Sequence, residues 1–257
     1  LDAPLALGQP GDEAPGPLAQ RLEADERIAQ VVAAHRRQRR LGADDIGIEL
    51  AQRGLTVHVL EGQRLGFGAS GRNGGQVLHS LACDLGVVER QLGAESAREI
   101  FHTTVESIHL LHQRCAEFGI DADWQAGYVN VAIKPGKARE LLDDADALER
   151  SYGHVQRRIS ASEMPDWVNS QRYVAGVYDP LCGHINPLKY TLGLAQAARA
   201  LGVVVHERCP VLQLQQGQHC VLRTATGRVQ TQRVVLAGNV HLKAPDGTPM
   251  ANAMLSL

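Results

Sequence analysis

The residues best suited to chemistry fall in three places. The first is Glu61, which follows the apolar and β-branched run Leu55-Thr56-Val57-His58-Val59-Leu60. In a dinucleotide-binding βαβ unit, an acidic residue at the tip of the second strand accepts hydrogen bonds from ribose hydroxyls. A glutamate after a strand is more often a plain solvent-facing terminus, so Glu61 alone carries little. The second place is Gly66-Phe67-Gly68-Ala69-Ser70-Gly71-Arg72-Asn73-Gly74-Gly75-Gln76, five glycines in eleven residues. Glycine lets backbone N–H groups approach a ligand without a Cβ in the way. Ser70 and Asn73 can donate hydrogen bonds to a phosphate or a ring edge, and Arg72 can neutralise a phosphate. A flexible surface loop has the same composition. The string begins five residues after Glu61, however, where a bound dinucleotide would lie. The third place is Val234-Val235-Leu236 running into Ala237-Gly238-Asn239, small residues that permit close backbone contact with a cofactor.

These residues need elements to position them. Ile48–Arg53 reads as the end of a helix, with Gly54 at its C′ position. Leu55–Leu60 reads as a buried strand. Val87–Phe118 has helical spacing, with a break near Gly93 and an end before Gly119. Tyr128–Ile133 and Tyr173–Tyr178 are strand candidates, the second ended by Asp179-Pro180, and Gly136–Tyr152 is a charged helix. Asn186 and Pro187 open a helix as N-cap and first residue, and Gly202 stops it. Val203–His206 is a strand. Val211–Leu214, Cys220–Thr224 and Arg228–Leu236 form an expected antiparallel set with turns at Gln216-Gly217 and Thr226-Gly227. Residues 1–45 differ. They open with four prolines, Arg21–Ala34 has helix-forming composition, and the basic run His35–Arg40 follows.

Composition excludes several classes. The chain has 257 residues, 44% hydrophobic and 21% charged, as expected of a globular protein. The net charge of −2 lacks the basic excess of a nucleic-acid binder, and 4% aromatics make no stacking platform. No apolar run is long enough for a membrane span, and the first thirty residues have neither the basic start nor the apolar middle of a secretory signal. The five cysteines are scattered and never form a CxxC pair, so reduced thiols, a cytoplasmic location and no metal site are expected.

Taken together, Leu55–Glu61, Gly66–Gln76, Gly183-His184-Ile185-Asn186-Pro187 and Val234–Asn239 resemble the FAD-dependent amino-acid and amine oxidases of D-amino-acid oxidase type, in particular the gamma-glutamylputrescine oxidase branch. The resemblance runs from about Ile48 to Leu242. It implies a mixed α/β fold with a Rossmann-like FAD-binding domain (47–119 and 183–242) and an inserted antiparallel substrate domain (120–182), followed by a tail at 243–257. It also implies that Glu61 holds the adenosine ribose and that Gly62, Gln63 and Arg64 lie near the adenine. Gly68, Ala69, Ser70, Gly71, Arg72, Asn73, Gly74, Gly75 and Gln76 would wrap the pyrophosphate and the flavin. Val211 would meet adenine through its backbone, and Ala237 and Gly238 would lie by the pyrophosphate. The implied reaction oxidises a C–N bond of a small amine or amino acid, with oxygen or another acceptor taking the electrons. No catalytic acid or base is assigned, and His184, just before an N-cap, is expected to be structural. A nicotinamide-dependent dehydrogenase is disfavoured by the flavin-type string.

Two departures accompany the resemblance. The family's G-x-G-x-x-G turn begins roughly 23 residues before the acidic residue. Counted back from Glu61, its glycines would fall at Gln38, Arg40 and Ala43, and none is glycine. No apolar first strand is expected before that run, so residues 1–46 are expected to be atypical, disordered or out of frame. Family members also continue beyond the Ala-Gly-Asn strand. The sequence therefore leads to an FAD-dependent amine oxidoreductase incomplete at both ends. Its alternative is an inactive fragment with weak or no FAD binding.

Overall fold

The computed structural model describes residues 29–34, 43–81 and 83–238. In chain order the elements are strand β1 (Ala29–Ala34), helix α1 (Ala43–Gln52), β2 (Thr56–Glu61), β3 (Gln76–Val77), α2 (Leu85–Leu92), α3 (Ala94–Phe118), β4 (Gln125–Ala132), α4 (Pro135–Tyr152), β5 (Arg157–Ser160), α5 (Met164–Trp167), β6 (Ala175–His184), α6 (Pro187–Ala200), β7 (Val204–His206), β8 (Gln213–Gln215), β9 (Cys220–Arg223), β10 (Arg228–Thr231) and β11 (Arg233–Ala237). They divide into two compact units. Among the described residues, one comprises those up to Leu65 with Ala198–Gly238, and the other those from Gly66 to Ala197. This division differs from the expected domain boundaries. The glycine string and the long helix α3 cluster with the antiparallel strands, because β3 pairs with β6 and α6 packs Gly193 against Ile120.

The first unit is built on a parallel sheet in the order β11-β1-β2-β7. β1 lies between two parallel partners, with Ala34 opposite both Glu61 of β2 and Ala237 of β11. This corrects the expectation of a sheet without its first strand. Ala29–Ala34 is also strand rather than the end of an Arg21–Ala34 helix. The alanines favour a helix locally, but Val31 and Val32 are β-branched, and ladders on both edges use the backbone groups of the segment. The rest of the 1–46 segment, apart from the start of α1, lies outside the described residues, as do Asn239 and the 243–257 tail.

Val57, Val59 and Leu60 of β2 and Ile48 of α1 are buried, each worth roughly 1.5–3 kcal/mol. A second, antiparallel sheet, β10-β9-β8, adds Leu222 and Val229 to a cluster with Leu60 and Cys209. The expected strand Arg228–Leu236 is two strands in two sheets. The chain turns at Gln232, where the Thr231 hydroxyl donates to the Arg233 carbonyl at 3.1 Å.

The second unit centres on β6. β4 runs antiparallel along one edge, and β3 and β5 pair with the other. The strand does not end at Asp179-Pro180 as expected but continues to His184. Its register with β4 shifts between Ala126 and Tyr128, and a proline, which has no ladder donor, is tolerated at such a bulge. Helices α2 and α3 are separated at Gly93, and α3 ends at Gly119 in a left-handed C-cap, both as expected. Phe101, Ile108, Ile159 and Met164 fill the core.

Candidate functional site

The carboxyl edge of the parallel sheet gathers residues that are far apart in the chain. Glu61 and Ala237 end the two strands that flank β1, and Gly238 follows, buried. Open α/β sheets bind ligands at such edges, in the crevice beyond the strand ends. The loop after β2 is pinned there. Glu61 Oε1 accepts from the Gln63 amide at 2.7 Å, and the Glu61 carbonyl accepts from the Cys209 amide at 2.8 Å. The Gln63 carbonyl accepts from the Arg208 amide at 2.7 Å, and Glu207 Oε1 accepts from the Leu65 amide at 2.7 Å. Gln63 and Arg64 are exposed, while Val211 packs against the Leu60–Leu222 cluster. Deeper in the same sheet, His58 Nδ1 and His206 Nε2 lie 3.3 Å apart with their rings stacked. Burial pushes His206 below the usual histidine range.

These described residues suit the adenosine half of FAD. Glu61 sets a carboxylate, an acceptor suited to hydroxyl donors, at the end of β2, and the neighbouring strand end carries small residues. The connection from β1 to α1 suits it less. It reads His35-Arg36-Arg37-Gln38-Arg39-Arg40-Leu41-Gly42, with one glycine, and lies outside the described residues.

In the second unit the glycine string is closed largely by its own bonds. The Asn73 side chain donates to the Ala69 and Ser70 carbonyls at 2.9 and 3.1 Å and accepts from the Gly75 amide at 2.7 Å. Asn73 therefore braces the loop from within. The Arg72 guanidinium lies 4.1 Å from the centre of the Phe67 ring. Gly75 has φ +71°, and a Cβ there would sit 2.0 Å from the Ile185 carbonyl oxygen. Part of the glycine requirement is thus chain against chain rather than chain against cofactor. Two of the sequence motifs meet at this point. The Ile185 amide donates to the Gly75 carbonyl at 2.9 Å, and Gln76 and Val77 pair with His184 and Gly183. His184 is an exposed ladder residue, and Asn186 Oδ1 caps α6 by accepting from the Lys189 amide at 3.1 Å. Thr191 of α6 donates to the Ser70 carbonyl at 3.2 Å.

Sequence reasoning missed a buried polar cluster in this unit. Asp179 of β6 is 1% exposed. Its Oδ2 lies 2.7 Å from His79 Nε2, 2.7 Å from His154 Nε2 and 2.9 Å from the Gln156 Nε2 that donates to it. Its Oδ1 accepts from the Leu181 amide at 2.9 Å. Burial alone would raise the carboxyl pKa, but the bonds from His154, His79 and Gln156 outweigh it and hold Asp179 well below the usual carboxylate range. Cys182 lies beside this group, its thiol pushed up by burial to about 11. The cluster borders a cavity of about 190 Å³ between α4 and the sheet, whose walls include Leu141, Leu148 and Val177. Its members come from separate segments with no spacing pattern, so only the folded chain shows them.

Comparison with known proteins agrees with the frame. The model of the DAO family, described as FAD dependent oxidoreductase, matches residues 46–255. The chain is 37% identical over 196 residues to gamma-glutamylputrescine oxidoreductase of Escherichia coli K12, covering 76% of this chain and 46% of that protein. It thus spans about half the length of that relative. Among solved structures it resembles glycine oxidase of Bacillus cereus (TM-score 0.64, 20% identity, 84% of this chain and 56% of that one). L-amino acid deaminase of Proteus myxofaciens is also similar (TM-score 0.67, 20% identity, 84% and 46%). Residues 46–255 carry the family's pattern over most of the chain, and the protein belongs to the DAO family of FAD dependent oxidoreductases.

Proposed function

We propose that the chain binds FAD and serves the oxidation of a C–N bond in a small amine or amino acid, a gamma-glutamylated amine in particular. The observation that carries this reading is the register of β1, which sets Glu61 and Ala237 on either side of Ala34 at one sheet edge. Glu61 would accept from the ribose hydroxyls, with Gly62, Gln63 and Arg64 toward the adenine. Ala237 and Gly238 leave room for the pyrophosphate without side-chain bulk. The resemblance assigns Gly68–Gln76 to the pyrophosphate and the flavin, and within the second unit Asn73 and the Gly75–Ile185 bond hold that segment in shape. FAD held by these residues would supply the two-electron acceptor for that oxidation, with oxygen or another acceptor taking the electrons on. A cytoplasmic setting accords with this chemistry, and no helix among the described residues is long and apolar enough to cross a membrane.

A second reading, a chain that holds FAD weakly or not at all, is favoured by the arginine-rich β1–α1 connection. There, long side chains replace the glycines that let backbone N–H groups meet a pyrophosphate. Titrating the purified chain with FAD separates the two. Saturable binding with a shifted flavin spectrum, weakened about tenfold or more in Glu61→Ala, supports the first. A colourless chain that cannot be reconstituted supports the second.

A further inference from the structure

We propose that His79, Asp179 and Cys182, with His154 completing the set, form a site for a divalent transition-metal ion of the zinc type. One donor atom from each of His79, Asp179 and Cys182 lies within 4.8 Å of the others. His154 Nε2 lies 2.7 Å from the same Asp179 oxygen. Ligand atoms of one tetrahedral zinc sit roughly 3.3–3.7 Å apart, given metal–ligand distances of about 2.0–2.3 Å. The donor atoms of His79, Asp179 and Cys182 reach that spacing through side-chain shifts of about an ångström, and His154 would join them through the Asp179 oxygen it already meets.

The hydrogen-bond arithmetic also points to a cation. A carboxylate oxygen has about two lone-pair positions. Asp179 Oδ2 is approached by three nitrogens, from His79, His154 and Gln156, while Oδ1 takes one amide. A metal ion shared by both imidazoles and the carboxylate relieves that crowding. Imidazole, carboxylate and thiol donors together suit zinc, cobalt or copper rather than magnesium or calcium.

The fold supplies the support a metal site needs. Asp179 and Cys182 lie on β6 at the register shift with β4, and a donor atom of each lies within 4.8 Å of one from His79 in the segment after β3. The Phe101 ring meets both imidazoles edge-on, with centroids 5.2 Å from His79 and 5.6 Å from His154. The side chains of His79, His154 and Asp179 are only 11%, 14% and 2% exposed. The adjoining cavity, lined by His79, Asp179 and Cys182 among others, gives an ion a way in. The ion's role would be structural, tying the chain after the glycine string to β6 and to the turn that follows α4.

The test uses the full purified chain, its metal content first measured as isolated and after chelation. Cobalt(II) is then titrated into the stripped protein. One cobalt per chain is expected, with visible d–d bands and a near-ultraviolet thiolate charge-transfer band. Cys182→Ser should lose the charge-transfer band and keep d–d bands, while His154→Ala should weaken cobalt binding about tenfold or more. Near-ultraviolet circular dichroism identifies any variant that fails to fold. Should His154→Ala be one, His154→Gln takes its place. The proposal is overturned if the folded wild-type chain binds no stoichiometric cobalt, or if the thiolate band persists in Cys182→Ser.

Discussion

Each unit contains a pair of histidines in contact, and the two pairs differ in one respect. In the first unit His58 and His206 stack on neighbouring parallel strands with ring centroids 5.6 Å apart. In the second, His79 and His154 meet edge-on at 4.4 Å, and both nitrogens converge on Asp179. Burial without a carboxylate disfavours the proton on His206. Burial works against the charge on Asp179, but the two imidazoles and the amide around it outweigh burial and hold it in its charged form. Two imidazoles therefore stack and hydrogen-bond to each other in one place and converge on a buried carboxylate in the other. What decides between them is the neighbouring carboxylate.

Removing that carboxylate is the strongest way to break the contrast. Asp179→Ala leaves two imidazoles and a glutamine amide without their acceptor. In metal-stripped protein it is expected to cost about 3 kcal/mol of stability, read by urea unfolding with a probe in the second unit. A loss below about 1 kcal/mol would mean that the cluster is solvated and that the comparison fails.

Acid should separate the units in order. The folded-state pKa of His206 is depressed, so its contribution is present above about pH 6.5 and is lost as pH falls below that value. Asp179 is depressed as well, so its contribution is present above about pH 4 and is lost only below it. Hydrogen exchange followed against pH in metal-stripped protein should show the first unit loosening before the second. Both units loosening together near pH 4 would contradict it.

The smallest effect is expected from His206→Gln, which keeps a polar side chain and removes the titrating group. At pH 8 its stability should lie within about 1 kcal/mol of wild type. Its first unit should lose the pH dependence between about 7 and 5.5. A pH profile unchanged from wild type would place that dependence on another group.

The contrast also marks what could be read from residue order. The break at Gly93, the end of α3 at Gly119 and the Asn186 cap were legible, because each depends on a few neighbouring residues. Glu61 was legible as the end of a β-branched run, and it ends β2. β1 was not. Its alanines favour a helix locally, and the ladders that make it a strand come from β2 and β11. The split between β10 and β11 was hidden for the same reason, since one stretch without a glycine or proline serves two sheets. The Asp179 cluster had no signal at all, because histidine and aspartate at unrelated spacings look like ordinary polar residues.

The pairing of β1 with β11 has a consequence for how the chain is made. Ala34 and Ala237 are partners more than 200 positions apart. The second unit is almost one continuous stretch inserted between them. On a ribosome the 66–197 stretch emerges before β11, so it can reach its native contacts while the first strand still lacks one neighbour. The central strand of the parallel sheet thus closes last, and conditions that slow or stall synthesis should leave the inserted unit protected and the sheet around β1 open to proteases.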